Sequence, residues 1–226
     1  CEPGVVGMSI RKQTILDMDL NAYEAMGAFD RTVVGRSDAA ENQVLKDLLD
    51  KGEIKAFVRA GTLAEYGNAT APSREDEREA PATLHGTAQV AATHYLSLVA
   101  RHLPFRAYSA RLGLTYGPGQ KRGFLVADLI QHCLAGQPFH VREPSGRRDM
   151  IHVDDVVRGL MRLAGSALPS GSIVNLCSGV ALSNRRMAEI ICEVTGAHPT
   201  LLTFGPEQSA PSILWCSTEK ARDLLG

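Results

Sequence analysis

The feature that most constrains this chain is a change of period. Short β-branched runs alternate with longer stretches whose apolar residues recur every three or four positions. Apolar runs suit strands buried on both faces, and a helical stretch between two of them suits the crossover of a parallel βαβ unit. The expected strands are 5–10, 14–18, 31–35, 55–61, 105–114 and 172–177. The expected helices run from Asp38 to Lys51, Thr83 to His102, Phe124 to Ala135, Asp154 to Leu163 and Asn184 to Val194. In the second helix Ala88, Ala91, Ala92, Tyr95, Leu98 and Val99 form an apolar stripe at helical spacing, expected to pack on the sheet. Ser183 is placed to cap the last helix and Gly196 to end it. The fold class is α/β, with a doubly wound parallel sheet.

At 226 residues the chain has room for one large domain, or one with a small added lobe. Its 24 basic and 25 acidic residues nearly cancel, so no broad field attracts nucleic acid or an anionic membrane, and partners must be argued from local sites. No apolar run approaches the roughly 18 residues of a membrane helix, so a soluble, cytoplasmic protein is expected. The five cysteines are odd in number and lack any CxxC pair, which suggests buried free thiols, with neither a disulfide framework nor a metal site. The proline-bounded stretch 71–81 reads as a solvated charged loop, and Gly146-Arg147-Arg148 as a basic turn. A chain opening on Cys1 reads as starting inside a longer one.

Ligands of open parallel sheets collect at the carboxyl ends of the strands. Three places there draw notice. After the strand at 55–61, Ala60 and Gly61 would let a flat ligand approach the backbone, and Thr62 adds a hydroxyl. At the start of the long helix His85 and Gln89 lie four residues apart, a spacing that shares a face. The loop after 105–114 carries Lys121 and Arg122, suited equally to an anion or to water.

The segments AGTLAEYG (60–67), PATLHGTAQVAATHY (81–95), ARLGLTYGPGQ (110–120), RRDMIHVDDVV (147–157), IVNLCSG (173–179) and STEKARDLLG (217–226) occur in an order that resembles the extended short-chain dehydrogenases. Within them the chain is similar to the NAD-dependent epimerase/dehydratase family, which acts on nucleotide sugars. The resemblance implies a Rossmann-like dinucleotide-binding part over 1–117. It implies a substrate lobe mainly over 118–226, with segments near 140–177 returning to the sheet. It also implies NAD or NADP as cofactor, a nucleotide-sugar ligand, and a homodimer paired through the helix at 83–102.

In the family a tyrosine of a YxxxK motif takes the sugar hydroxyl proton, a lysine tunes that tyrosine and holds the ribose, and a Ser or Thr bonds the reacting oxygen. The resemblance puts Thr62 at the Ser/Thr position, His85 at the tyrosine and Gln89 at the lysine. A phenol of pKa about 10 needs a neighbouring ammonium to ionise, whereas an imidazole near about 6.5 is already a base, though with a shorter reach. The resemblance also sets Ala60, Gly61, Gln89 and Leu112 beside the cofactor. Leu114 takes the place of a sugar-nucleotide-binding asparagine, and Lys121 and Arg148 fall on the substrate side, Arg148 toward the diphosphate. No second family arginine appears in 204–212, and no GxxGxxG turn opens the chain. With 5–10 as the second strand of the family, Ser9, Arg11 and Lys12 fall where basic residues favour a 2′-phosphate, hence NADP. Two readings stand open: an oxidoreductase or isomerase using His85 with Thr62, and a catalytically silent binding or regulatory member.

Overall fold

The computed structural model of the chain describes residues 54–226. The strands expected at 5–10, 14–18 and 31–35, the helix from Asp38 to Lys51, and the candidates Ser9, Arg11 and Lys12 lie outside them.

Three parallel strands, β1 (Ala56–Thr62), β2 (Arg106–Leu112) and β6 (Ile173–Leu176), form a sheet in the order β1-β2-β6. Both crossovers carry helices. α1 (Leu84–Val99) joins β1 to β2 and covers one face, where Leu96, Val99 and Ala100 pack on Ala107 and Phe57. α3 (Val153–Gly165) and α5 (Glu219–Leu225) cover the other, where Leu163 meets Tyr108, Ala110, Val174 and Leu176. Alternation along a strand sends Phe57, Arg59 and Gly61 toward α1, and Val58, Ala60 and Thr62 toward α3. This is the doubly wound α/β arrangement expected.

The strand expected over 105–114 is broken at Gly113. A Cβ there would crowd Cys177, Asp149 and Ile151, and without one the chain bends out of the first sheet into a second. In that sheet β3 (Leu114–Tyr116) pairs parallel with β5 (Arg147–His152), so Arg147 and Arg148 belong to a strand and not to the basic turn expected. β5 also pairs with β7 (Ala181–Ser183) and β9 (Ile213–Leu214). α2 (Leu125–Leu134) and α4 (Asn184–Thr195) pack over a ribbon of β4 (Phe139–Val141) and β8 (Leu202–Phe204). The α4 caps are as the sequence suggests: the Ser183 hydroxyl accepts from the Arg186 N–H, and Gly196 ends the helix at φ 70°. Among the described residues no helix is long and apolar enough to cross a membrane.

The stripe expected on α1 is only partly the buried one. Ala92 and Val99 face the sheet, but Ala88, Ala91 and Leu98 face outward, and the inward face is completed by Gly86, Gln89, Thr93 and Leu96. Two polar residues point inward because the sheet offers them buried charge.

Candidate functional site

Thr62 ends β1 beside Leu112 at the end of β2. Its hydroxyl oxygen accepts from the Ala64 N–H at 3.2 Å, while the Glu65 carboxylate accepts from the Thr62 N–H at 3.2 Å. This capping box sets a 3₁₀ turn, Leu63–Glu65, and leaves the Thr62 hydroxyl proton available to donate. Gly61 is small for an internal reason, since a Cβ would overlap the Glu65 carboxylate. Ala60 is half-buried on the opposite face, and Leu112 packs against the α3-side core.

α1 starts against this turn. Thr83 caps it, accepting from the Gly86 N–H at 3.0 Å, and a Cβ on Gly86 would run into the Ala64 carbonyl. His85, next to that contact, is exposed and free of hydrogen bonds to described residues. Gln89 does not share its environment, contrary to the common cleft face expected. Only 4% exposed, its side-chain and backbone oxygens both accept from the Arg59 guanidinium.

Arg59 belongs to a network that replaces apolar packing on this part of the sheet. Its other terminal nitrogen donates to the Thr93 hydroxyl at 2.7 Å, and Thr93 donates to Glu65 at 2.7 Å. Arg111, in register with Gly61, donates from Nε to Glu65 at 2.9 Å and pairs with Glu79. Its guanidinium lies 4.5 Å from the centre of the Tyr66 ring. The Tyr66 hydroxyl donates to Asn175 at 2.8 Å, and burial, opposed by Arg111, pushes its pKa up to about 12. Burial works against the Arg111 charge, but Tyr66, Glu65 and Glu79 hold its pKa above the ordinary arginine value. The stretch 71–81 is therefore not wholly solvated: Glu79 is drawn inward by Arg111, and Glu75 accepts from the Asn175 N–H.

Two residues beyond Leu112 the chain enters a cleft of about 670 Å³ between β3, β4, β5, α2 and α4. Leu114 and Arg148 both line it, joined by Phe124, Phe139 and Met150; Lys121 is exposed and outside the lining, though Gln120 and Gly123 are part of it. Arg148 is held from behind, donating to the Ser212 carbonyl and hydroxyl at 2.9 Å each, with Glu143 3.7 Å away. Burial pulls its pKa below the usual arginine value.

Two lining residues escape the sequence reading. Asn184 donates one amide hydrogen to the Glu143 carbonyl at 2.8 Å, and Gln120 donates one of its own to the Thr115 carbonyl at 2.9 Å. Both side-chain oxygens are left buried without a partner. A buried acceptor without a donor is costly, and in a cleft it favours a ligand that brings one. Gln120 closes the ARLGLTYGPGQ segment without being singled out there, and Asn184 stands outside those segments, its available signal being that it directly follows the cap Ser183.

The cysteines also depart from expectation. Cys133 and Cys192 are buried and free, but Cys177 and Cys216 form a disulfide. They are 39 residues apart, and the fold brings them together by pairing β9 with β5 and by bridging Cys216 to Ser73 beside the end of β6.

Residues 29–177 match the model of the "NAD dependent epimerase/dehydratase family". Over 192 residues the chain is 24% identical to the protein described as "Uncharacterized UDP-glucose epimerase YtcB" of Bacillus subtilis (strain 168), covering 83% of this chain and 61% of that one. It is 29% identical over 174 residues to dTDP-glucose 4,6-dehydratase of Streptomyces griseus, covering 74% and 52%. The chain thus spans between half and two thirds of the length of these relatives. The solved structure of MoeE5 with UDP-glucuronic acid and NAD is similar at a TM-score of 0.70 and 25% identity, covering 81% of this chain and 62% of that one. With that match over most of its described Rossmann-like sheet, the chain belongs to the NAD-dependent epimerase/dehydratase family.

Proposed function

We propose that this protein binds a nucleotide sugar in the 670 Å³ cleft and presents its sugar to NAD at the ends of β1 and β2. The observation that carries the reading is the cleft itself: two unpartnered amide oxygens, Asn184 and Gln120, on the same wall system as Arg148. Uracil and thymine offer an N–H donor, sugars offer hydroxyls, and a diphosphate suits a guanidinium. UDP- and dTDP-sugar enzymes among the similar proteins support the same ligand class, and NAD in the MoeE5 structure supports that cofactor.

The described residues fit a nicotinamide at Thr62, whose hydroxyl proton is uncommitted, and do not fit a ribose contact at Gln89, which Arg59 holds inside. NAD bound there supplies the hydride acceptor. Thr62 donates to the reacting sugar oxygen and orients it. His85, at the rim beside the same turn, takes the hydroxyl proton and passes it to water. The substrate lobe comprises the β3–β5 and α2–α4 walls. Two copies associate through the outward stripe of α1, where Leu84 is 93% and Leu98 65% exposed.

The grip of Arg59 on Gln89 favours a second reading, a silent nucleotide-sugar binder, because among the described residues no ammonium stands beside His85 in the lysine's place. Incubation with NAD and a panel of UDP- and dTDP-sugars separates them. The enzyme reading expects a reduced-nicotinamide signal or a changed sugar, lost in His85→Ala with binding retained. Saturable binding without turnover across the panel establishes the silent binder, and absence of both contradicts the site.

A further inference from the structure

The disulfide has no part in the chemistry above, yet its position ties it to the cleft. We propose that Cys177 and Cys216 form a reversible redox modification site, opened by a small carboxylate-bearing thiol, that controls the grip on the cleft's ligand. The coupling rests on the nucleotide-sugar reading of that cleft.

The crosslink closes a loop of the chain that contains β7, α4, β8 and β9. That loop supplies Asn184 and Met187 to the cleft wall and Ser212, whose carbonyl and hydroxyl hold Arg148. At its far end the Trp215 indole donates to the Gly179 carbonyl at 3.0 Å, and Asp149, the strand neighbour of Arg148, accepts from the Ser178 and Gly179 N–H groups. Opening the crosslink loosens both ends of the segment that positions Arg148 and Asn184.

The two sulfurs are unequally accessible. Cys216 is fully buried, whereas Cys177 is half-buried and lines a separate hollow of about 400 Å³. Arg158, Arg162 and Arg222 also line that hollow, with Asp155 as its one side-chain carboxylate and Arg162 held by the Leu225 and Gly226 oxygens. Asp155 pairs with Arg158, and among the described residues Arg222 meets no carboxylate. The balance is positive beside the reachable sulfur, which draws an anionic thiol.

The step balances as thiol–disulfide exchange. The reductant's thiolate attacks Cys177 Sγ, the bond between the two cysteine sulfurs breaks, and Cys216 leaves with the electron pair and takes up a proton. A second reductant thiol then attacks the mixed disulfide, freeing Cys177 as a thiol, and the reductant departs as its own disulfide. Two electrons and two protons pass to the protein. An Asp149 oxygen lies within 4.8 Å of both sulfurs.

The test uses the whole chain, oxidised or reduced with glutathione, with thiols counted by alkylation and intact mass and UDP titrated by calorimetry. Expected are a two-hydrogen mass gain on reduction and a fall of about fivefold or more in UDP affinity, the lower end of ordinary coupling between sites. Cys216→Ser and Cys177→Ser should both bind UDP like the reduced protein in either condition, with thermal melts confirming that they fold. Glutathione should open the bond faster than a neutral thiol of similar pKa, and Arg222→Glu should remove that advantage. Equal UDP affinity in the two states overturns the coupling, and alkylation of both Cys177 and Cys216 in the air-exposed protein overturns the site. Stoichiometric zinc uptake by the reduced protein that blocks reoxidation overturns it in favour of a metal site. UDP bound in neither state contradicts the nucleotide reading instead, while the thiol count still decides the bond.

Discussion

The two faces of the β1-β2-β6 sheet are built from alternate residues of the same strands and solve burial differently. Toward α3 and α5 the strands present Tyr108, Ala110, Val174 and Leu176, an apolar surface closed by Leu163. Toward α1 and near the strand ends they present Arg59 and Arg111, 2% and 0% exposed, neutralised by Glu65 and Glu79 and completed by Thr93 and Gln89. The first face is stabilised by area removed from water. The second depends on every charge keeping its partner, because a buried ion pair adds little net stability while a lone buried charge is expensive. Gln89 lies on this second face, so the paired charges decide which way it turns.

The largest expected effect is Glu65→Ala, which takes the shared carboxylate from between two buried guanidinium groups, Arg59 and Arg111. A cost of about 3–5 kcal/mol is expected in urea denaturation. Leu163→Ala on the apolar face should cost about 2–4 kcal/mol by loss of contact and a cavity. If the two are reversed in order, the charged face is not held by pairing at Glu65.

Gln89→Lys tests whether the polar face excludes the family's residue. An ammonium placed against Arg59 replaces an accepted hydrogen bond with repulsion, and a loss of about 1–3 kcal/mol is expected. Adding Arg59→Met should recover most of it, and a double-mutant cycle reads the coupling directly. A Gln89→Lys protein as stable as the parent would mean that Arg59 does not hold this position closed.

The smallest effect is in pH. Burial alone would raise the Glu79 pKa, but hydrogen bonds, including that from Arg111, bring it net below the ordinary carboxylate value. A carboxyl whose folded pKa is depressed contributes stability that is present above its unfolded pKa and lost as pH falls through the folded one. Glu79→Gln should therefore flatten the acid limb of the stability profile, whereas Leu163→Ala should lower the whole profile without changing that slope. An unchanged acid limb in Glu79→Gln would remove the carboxylate from the network.

The contrast between the faces also marks what could be read beforehand. Runs such as 105–114 and 172–177 announce strands through composition, and Thr83, Ser183 and Gly196 announce helix ends through capping chemistry. The polar face is hidden because a single arginine in a strand looks like an outward residue. Arg59 and Arg111 become recognisable only when register sets Gly61 beside Arg111 and α1 brings Gln89 and Thr93 over them. Judging α1 by apolar residues alone consequently turned its stripe toward Ala88 and Leu98. In the site, Leu114 and Arg148 were legible through resemblance to sequences of known order. Asn184 and Gln120 were not, since an amide oxygen becomes informative only once its own amide is seen to donate elsewhere. The Cys177–Cys216 bond was invisible for a related reason: the two cysteines meet through the pairing of β9 with β5 and the bridge from Cys216 to Ser73, not through spacing.

The most direct test of the central claim is calorimetric titration of UDP-glucose into the parent protein and into Asn184→Val. The account predicts one saturable site in the parent and about tenfold weaker binding in the variant, the worth of one hydrogen bond of about 1.4 kcal/mol. Equal affinity in the two proteins, or no binding to the parent, would contradict it.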